Sequence, residues 1–156
     1  MQLRRVVTGH DANGKAIVLI DEQVQNQVSA RPGATASVIW TSHGFPVDND
    51  GNEDTSGRAT GTTLSGGTVF RVLELAPGST PRNHRTDSID YAVVISGEVD
   101  MDIDGATVHL QAGDVLVQRG TIHNWINNGT EPCRIAFVLI DARPVTAGGK
   151  VLSAQG

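Results

Sequence analysis

The chain of 156 residues has one cysteine, few aromatic residues and no basic cluster. Its single cysteine, Cys133, excludes an intramolecular disulfide and fits a reducing compartment. The 12 Lys and Arg residues are scattered and outnumbered by 17 Asp and Glu residues, which gives a formal charge of −5. Proteins that bind nucleic acids usually carry a basic surface, so this composition argues against a nucleic-acid partner.

Long apolar segments are missing as well. The longest uninterrupted apolar run covers residues 135–140, far short of the roughly 20 residues that a helix needs to cross a bilayer. Residues 1–10 contain two arginines but no apolar segment of the kind found in secretion signals. We therefore expect a cytoplasmic protein with no membrane partner. The apolar fraction of 38% and the modest net charge are typical of one folded domain.

Turn residues interrupt the chain at short intervals, and no window of about a dozen residues shows a helical period. This pattern predicts an all-β protein, either a sandwich or a barrel. The strongest local signal is the Asp-Gly pair at 104–105, which suits a two-residue hairpin turn. This turn predicts Met101 opposite Val108 and Asp100 opposite His109, with the apolar residues on one face. Five further strands are predicted over residues 35–40, 68–75, 89–95, 114–118 and 134–140.

A first spaced motif begins at Gly78. Five residues separate it from His84, and six residues separate Asp90 from Gly97. His84 and Asp90 share parity, so an extended chain would turn both side chains to one side. On a straight strand they would lie about 20 Å apart, at ~3.3 Å per residue. Both side chains can therefore reach one ion or ligand only if the chain bends between them.

A second motif opens with Gly113 and Asp114. Its turn glycine, Gly120, lies three residues before His123, and the motif ends at Asn127, four residues after that histidine. Together the two motifs make the chain resemble the cupin superfamily, whose members are small β-barrels of the jelly-roll type. Two of the family's four usual metal-ligand positions differ: Thr86 stands in place of a second histidine, and Asp90 in place of a glutamate. In the second motif, Gln118 stands in place of a proline.

The resemblance implies a single all-β domain, a cupin-type jelly-roll barrel with additions at both ends. The cupin core covers residues 67–141. We expect residues 1–66 to supply N-terminal strands and a long surface loop, residues 44–66, that pack on the barrel within the same domain. Residues 142–156 are expected to form a frayed C-terminal tail. Small cupins are commonly dimers, so the resemblance also implies a homodimer.

His84, Asp90 and His123 are the candidate catalytic residues. Two imidazoles and a carboxylate can also bind a divalent transition metal (Zn, Fe, Mn or Ni), so the same three residues are the candidate metal ligands. Without a metal, the histidines can move a proton beside a carbonyl group, with Asp90 orienting one imidazole. A third alternative is a hydrogen-bonded cluster that only holds the barrel together. No organic cofactor is expected.

Three further residues, Thr86, Gln118 and Trp125, are predicted to contact the substrate. Trp125 shares parity with His123 and can stack on a flat substrate, although a position in the core suits it equally well. Arg71 lies in a predicted strand, and we expect its side chain at the surface.

The leading interpretation is a small-molecule enzyme of the lyase or isomerase type. By its resemblance to single-domain cupins of secondary metabolism and aromatic degradation, it would dehydrate, cyclise or decarboxylate a carbonyl compound of aromatic or polyketide-like character. One alternative is a metal-dependent dioxygenase in which His84, Asp90 and His123 hold Fe. The other alternative is a non-catalytic small-molecule-binding cupin, which would bind a ligand without turnover.

Overall fold

The structure is a computed structural model that describes the backbone of residues 1–156 and every side chain except that of Ala30. Thirteen strands alternate with turns and loops, and the described residues form no helix. Within this described chain, then, no helix is long and apolar enough to cross a membrane. The all-β fold that the turn pattern predicts is confirmed.

The strands are short, as expected for a chain that turn residues interrupt so often. Every pair of neighbouring strands runs antiparallel. In chain order the strands are β1 (Arg4–His10), β2 (Ala16–Gln23), β3 (Gln27–Arg31), β4 (Ala34–His43), β5 (Gly67–Leu75), β6 (Ser88–Ser96), β7 (Glu98–Ile103), β8 (Ala106–Gln111), β9 (Val115–Arg119), β10 (Asn124–Ile126), β11 (Cys133–Asp141), β12 (Val145–Ala147) and β13 (Lys150–Leu152).

Most of the strands belong to two sheets that enclose a common core. The larger sheet has the order β3-β4-β5-β11-β6-β9, and the smaller one has the order β10-β7-β8. Val69, Leu75 and Ile135 of the larger sheet and Val99 of the smaller one are at most 1% exposed. All four belong to one apolar cluster, so the two sheets pack face to face. The remaining strands form two hairpins, β1-β2 and β12-β13.

The hairpin of β7 and β8 has the register that the sequence predicts. Met101 lies opposite Val108, and Asp100 lies opposite His109. Both turn residues, at 104–105, have positive φ angles of 28° and 91°, which Asp and Gly tolerate better than other residues. On the exposed face, the Asp100 carboxylate lies 2.8 Å from Nδ1 of His109 and raises the pKa of that ring.

The five other predicted strands are present as β4, β5, β6, β9 and β11. Four short strands, β3, β10, β12 and β13, are not in the prediction. The expectation of a frayed C-terminal tail is wrong, because Val145–Ala147 pairs with Lys150–Leu152 and Gln155 exchanges two backbone hydrogen bonds with Arg85. Backbone pairing holds this segment although its small side chains offer little apolar surface.

Residues 44–66 contain no strand, as predicted, but one buried side chain fastens them to the β1-β2 hairpin. Arg5 of β1 is only 4% exposed. Its guanidinium donates to both carboxylate oxygens of Asp54, to Glu22 and to the carbonyl of Ile39, at 2.5–3.1 Å. We call Arg5, Glu22 and Asp54 the Arg5 cluster. It joins three segments of the N-terminal layer.

Candidate functional site

His84 and His123 come from different motifs and lie side by side in the barrel. Their backbones form an isolated antiparallel bridge, in which each N–H donates to the other residue's carbonyl at 2.9 Å. The ring centroids are 4.2 Å apart, and the rings are tilted by 51°. Both side chains are buried. The bend between the first motif and β6 thus brings two distant histidines into contact.

Hydrogen bonds to the backbone fix the orientation of both rings. Nδ1 of His84 lies 2.9 Å from the carbonyl oxygen of Arg82, and Nδ1 of His123 lies 3.0 Å from that of Thr121. A carbonyl oxygen can only accept, so each ring carries its proton on Nδ1 and, when neutral, its lone pair on Nε2. The Nε2 atoms are therefore the two basic nitrogens of this pair.

Burial keeps both rings neutral at physiological pH. Desolvation lowers the pKa of His84 to about 4, against the opposing effect of the Arg82 carbonyl. Desolvation also lowers the pKa of His123. An ordinary histidine has a pKa of about 6.5, so both rings are unprotonated bases at pH 7.

A cavity of about 390 Å³ lies beside the two rings. This volume is at the lower end of the range for small-molecule sites. One part of its wall is polar, and the rest is apolar. The polar lining residues are Arg31, Thr62, Arg71, Arg82, His84, Thr86, Asp90 and His123. The apolar lining residues are Val28, Ala34, Ala36, Leu73, Trp125, Phe137 and Leu139.

Five of the six predicted site residues line this cavity, and Gln118 does not. Gln118 is buried opposite Asp90 in the sheet, and its Nε2 donates to the hydroxyl of Thr121 at 3.3 Å. Its contact with a substrate stays a prediction. Trp125 is part of the wall, and its ring meets those of His123 and Phe137 edge-on, with centroids 5.8 and 5.7 Å away. Packing on two sides fixes the position of this indole.

Asp90 reaches the cavity from within β6 and has a desolvated carboxylate. The hydroxyl of Ser88 donates to it at 2.5 Å. Burial raises the pKa of Asp90, although the hydrogen bond from Ser88 and the charge of Arg71 oppose this shift. Asp90 is therefore more easily protonated than an ordinary aspartate.

The donor set does not fit a metal ion held by three protein ligands. In the described part of the chain, no three His, Cys, Asp or Glu side chains are grouped so that they could hold one. His84 and His123 offer two Nε2 atoms with backbone-fixed Nδ1 protons, as metal-binding histidines usually do. The carboxylate of Asp90 instead accepts a hydrogen bond from Ser88, and the positive charge of Arg71 acts to lower its pKa. The geometry thus gives no support to Asp90 as the third ligand of the predicted metal.

Three arginines line the cavity, and none of them is among the predicted site residues. The expectation that Arg71 lies at the surface is wrong, because its half-buried side chain faces the cavity. Arg71 shares parity in β5 with Val69 and Leu73, and this alternation is the signal that places it on the inner face. Arg31 lies on β3, which is not in the prediction, and Arg82 lies in the loop before β6.

Comparison with known proteins gives both family and fold similarities. A family model described as a cupin domain matches residues 71–140. A cupin-domain-containing oxidoreductase from Aspergillus ruber is 38% identical over 154 residues, which cover 94% of this chain and 76% of that protein. The phomopsin biosynthesis cluster protein C' from Diaporthe leptostromiformis is 36% identical over 159 residues, which cover 95% of this chain and 83% of that protein.

Among solved structures, the chain is similar to the polyketide cyclase RemF from Streptomyces resistomycificus. The TM-score is 0.53 at 15% sequence identity, and the match covers 85% of this chain and 79% of that one. At this identity the likeness concerns the fold alone.

Proposed function

This chain belongs to the cupin superfamily, and from that premise we propose that it is a small-molecule enzyme that moves a proton beside a carbonyl group. The reaction class is that of a lyase or an isomerase: dehydration, cyclisation, decarboxylation or a shift of a double bond. The observation that carries the proposal is the pair of neutral, backbone-oriented histidines on the wall of a cavity of small-molecule size.

The geometry of His84 and His123 suits the transfer of one proton at a time. A carbon acid beside a carbonyl gives its proton to one Nε2, and the ring becomes an imidazolium. With the rings only 4.2 Å apart, a second positive charge on the neighbouring ring is disfavoured. The imidazolium then returns the proton to another carbon, or gives it to a departing hydroxyl group. The first outcome is an isomerisation and the second a dehydration, and neither needs an oxidant.

Asp90 does not orient an imidazole, because both rings are held by backbone carbonyls, and in this scheme it contacts the substrate directly. Its carboxylate is anchored by Ser88 and faces the same cavity as the histidines. A raised pKa allows it to donate a hydrogen bond to a substrate oxygen when it is protonated. Replacing Asp90 by Asn should therefore move the pH–rate profile rather than abolish the reaction.

Proton transfer can be tested before the natural substrate is identified. The full chain is incubated in D₂O with a panel of 1,3-diketones, 2-enones and aryl ketones, and exchange of the hydrogen beside the carbonyl is followed by NMR. We expect exchange of at least one compound and a loss of about 10²–10⁴-fold in His84→Gln and in His123→Gln. The free energy of unfolding should change by no more than about 1 kcal/mol, since Gln can keep a polar group at the site.

His109→Gln is the matched control, because His109 is exposed, pairs with Asp100 and lies outside the cavity. Its exchange rate should equal that of the wild type. Wild-type protein that exchanges none of the compounds, or cavity variants that exchange as fast as the wild type, would contradict the proposal. A large loss of stability in both cavity variants would instead favour the cluster that only holds the barrel together.

An oxidoreductase is the second candidate, because curated relatives are named cupin-domain-containing oxidoreductases. An iron-dependent dioxygenase is one such oxidoreductase. This hypothesis predicts about one iron per chain after loading with Fe(II) and no iron in a His84→Ala/His123→Ala double variant. It also predicts that oxygen is consumed when substrate is added. Proton exchange that needs no oxygen favours the first candidate. A ligand that saturates the protein without either reaction favours a binding module.

The predicted homodimer and the cytoplasmic location stay proposals. Light scattering on the purified protein decides the first, because a dimer has twice the chain mass of 16.4 kDa.

A further inference from the structure

We infer that the cavity takes its substrate as an organic carboxylate, whose two oxygens are held by Arg71 and Arg31 while an apolar body fills the rest of the cavity. The inference rests on the proposed function in one respect: the bound acid is the molecule on which His84 and His123 act. It names the chemical class of the substrate and a specificity-determining residue, Arg71.

The cavity concentrates positive charge in a protein that is negative as a whole. Arg31, Arg71 and Arg82 line it, and Asp90 is the one acidic side chain among its lining residues. With both histidines neutral, the lining carries three positive charges against one negative charge, whereas the whole chain has a formal charge of −5. A chain with this composition has no general excess of positive charge, so the local excess is a property of the cavity.

The inner two arginines lack partners within the protein. Among the described residues, neither Arg31 nor Arg71 has a carboxylate within ion-pair distance or a side-chain hydrogen bond. Nε of each is buried and unpaired. A desolvated guanidinium without a partner is costly to the folded state, and proteins normally satisfy such groups. An anionic ligand supplies the missing acceptors.

Outside the cavity, four arginines pair in the ordinary way. Arg4, Arg5, Arg58 and Arg134 each contact a carboxylate within 3.0 Å. The other three form no ion pair in the described structure, and Nε of Arg85 is also buried and unpaired. What distinguishes Arg31 and Arg71 is that both line one cavity, so a single ligand can contact both. Arg82 differs from these two because it is exposed and donates to the Gly156 carbonyl at 2.7 Å. Its charge adds to the attraction of an anion without being the principal contact.

Asp90 does not neutralise the site. Its carboxylate is bonded to Ser88 and lies beyond ion-pair distance of Arg71, although the two charges attract each other. The guanidinium nitrogens of Arg71 thus remain available to a second anion. Three mutually repelling arginine charges also favour binding of that anion, because it relieves their repulsion.

A carboxylate with an apolar body fits the remaining wall. A guanidinium offers parallel N–H donors that match the two oxygens of a carboxylate. Leu73, Trp125, Phe137 and Leu139 form much of the apolar lining, and Phe137 lies beside Arg71 on the neighbouring strand. An acid with an aliphatic or aromatic skeleton therefore meets arginine at its head and apolar side chains along its body, while the histidines border the same space.

The test measures binding of three matched pairs to the full chain by titration calorimetry. The pairs are benzoate and benzamide, cinnamate and cinnamamide, and octanoate and octanamide, in which the amide keeps the shape but not the charge. We expect at least one acid to bind at least about tenfold more tightly than its amide at low ionic strength, and less so in high salt. Arg71→Leu should remove this preference, and Arg71→Lys should keep only part of it.

Arg119→Leu is the matched control, because Arg119 is exposed on β9 and lies outside the cavity. It should bind like the wild type, and circular dichroism should show that all variants fold. Equal binding of acid and amide, no binding of any acid, or a preference that survives in Arg71→Leu would overturn the inference. Tighter binding of phenyl phosphate than of every acid would overturn the carboxylate assignment.

The two proposals can fail separately. If the acids bind through Arg71 but neither they nor the ketones undergo proton exchange, the proposed function fails and the anion site stands. If exchange occurs but acids and amides bind alike, the histidines act on a neutral substrate and only the carboxylate inference is lost.

Discussion

Arg5 and Arg71 show how differently this chain treats two arginines in its interior. Arg5 is nearly completely buried in the N-terminal layer, yet its guanidinium meets two carboxylates and a carbonyl. Arg71 is half-buried at the wall of the cavity, with Asp90 beyond ion-pair distance and no hydrogen-bond partner among the described residues. Contacts with two carboxylates mark Arg5 as a structural fastening, although its Nε is buried and unpaired, and the lack of any side-chain partner marks Arg71 as part of a binding site.

The contrast extends to the segments around the two residues. The Arg5 cluster holds the loop of residues 44–66 against the β1-β2 hairpin, and Thr41 and Thr55 reinforce it with reciprocal hydrogen bonds at 2.8–3.2 Å. Around Arg71, polar side chains instead form hydrogen bonds with residues two positions away in the chain. His84 donates to the carbonyl of Arg82, and Asp90 accepts from Ser88. The N-terminal layer is thus closed by polar contacts, whereas the cavity leaves donors and acceptors for a ligand.

The largest expected effect is the loss of stability on replacing Arg5. Arg5→Leu removes four hydrogen bonds and leaves Asp54 and Glu22 without their partner, although both carboxylates reach solvent. We expect the free energy of unfolding to fall by about 2–4 kcal/mol, measured by urea denaturation. Arg4→Leu is the control, since Arg4 pairs with Asp21 at the exposed surface, and it should hardly change stability. Equal losses of stability in both variants would show that the buried contacts of Arg5 contribute no more than a surface ion pair.

A smaller change in the free energy of unfolding is expected on replacing Arg71. Arg71→Leu keeps the apolar stem that packs beside Phe137 and removes an unpaired, desolvated charge. The free energy of unfolding in the absence of ligand should stay within about 1 kcal/mol of the wild type or rise. The same urea experiment measures it. A loss as large as that of Arg5→Leu would show that Arg71 is a structural residue after all.

The pH dependence of stability also separates the two regions. His84 has its pKa lowered to about 4, so the unfolded chain binds this proton more tightly and stability falls as the pH drops from about 6.5 to about 4. Asp54 has its pKa lowered to about 2 by Arg5, so its contribution is present above about 4 and is lost as the pH falls towards 2. Urea midpoints measured from pH 7 to pH 2 should show both windows.

Two variants assign the windows. His84→Gln should shrink the upper window and leave the lower one; part of the upper window should persist, because burial lowers the pKa of His123 as well. Asp54→Asn should shrink the lower window and leave the upper one. A curve in which Asp54→Asn flattens the upper window would contradict the assignment of that window to the cavity.

Local patterns are sufficient to predict much of the fold. The Asp-Gly pair at 104–105 determines the register of β7 and β8, because a two-residue turn leaves one way to pair the flanking residues. The strands that carry the core are predictable for the same reason, since alternation of apolar residues needs only near neighbours. The short strands β3, β10, β12 and β13 escape prediction, because strands of 3 to 5 residues are too short to show an apolar alternation. In addition, β10 pairs with β7, which is not its neighbour in the chain.

The candidate site is only partly predictable. The spacing around His84 and His123 and the resemblance that it carries single out both histidines, and the structure places them in contact. Arg71 could have been found from its parity with Val69 and Leu73, but a charged residue in a strand is more often exposed. Arg31 offers no such signal, because its short strand shows no apolar alternation. The three cavity arginines therefore come together only in the tertiary structure, where β3, β5 and the loop before β6 line one cavity.

What the linear chain decides here is local: the strand-and-turn character, the hairpin at 104–105 and the two spaced motifs, all of which depend on residues within a few positions of one another. The tertiary structure decides three other properties. It keeps His84 and His123 neutral, it does not group Asp90 with them as a third metal ligand, and it leaves the charge of Arg71 unpaired. These properties depend on burial and on distances between remote segments, which no short stretch of sequence contains.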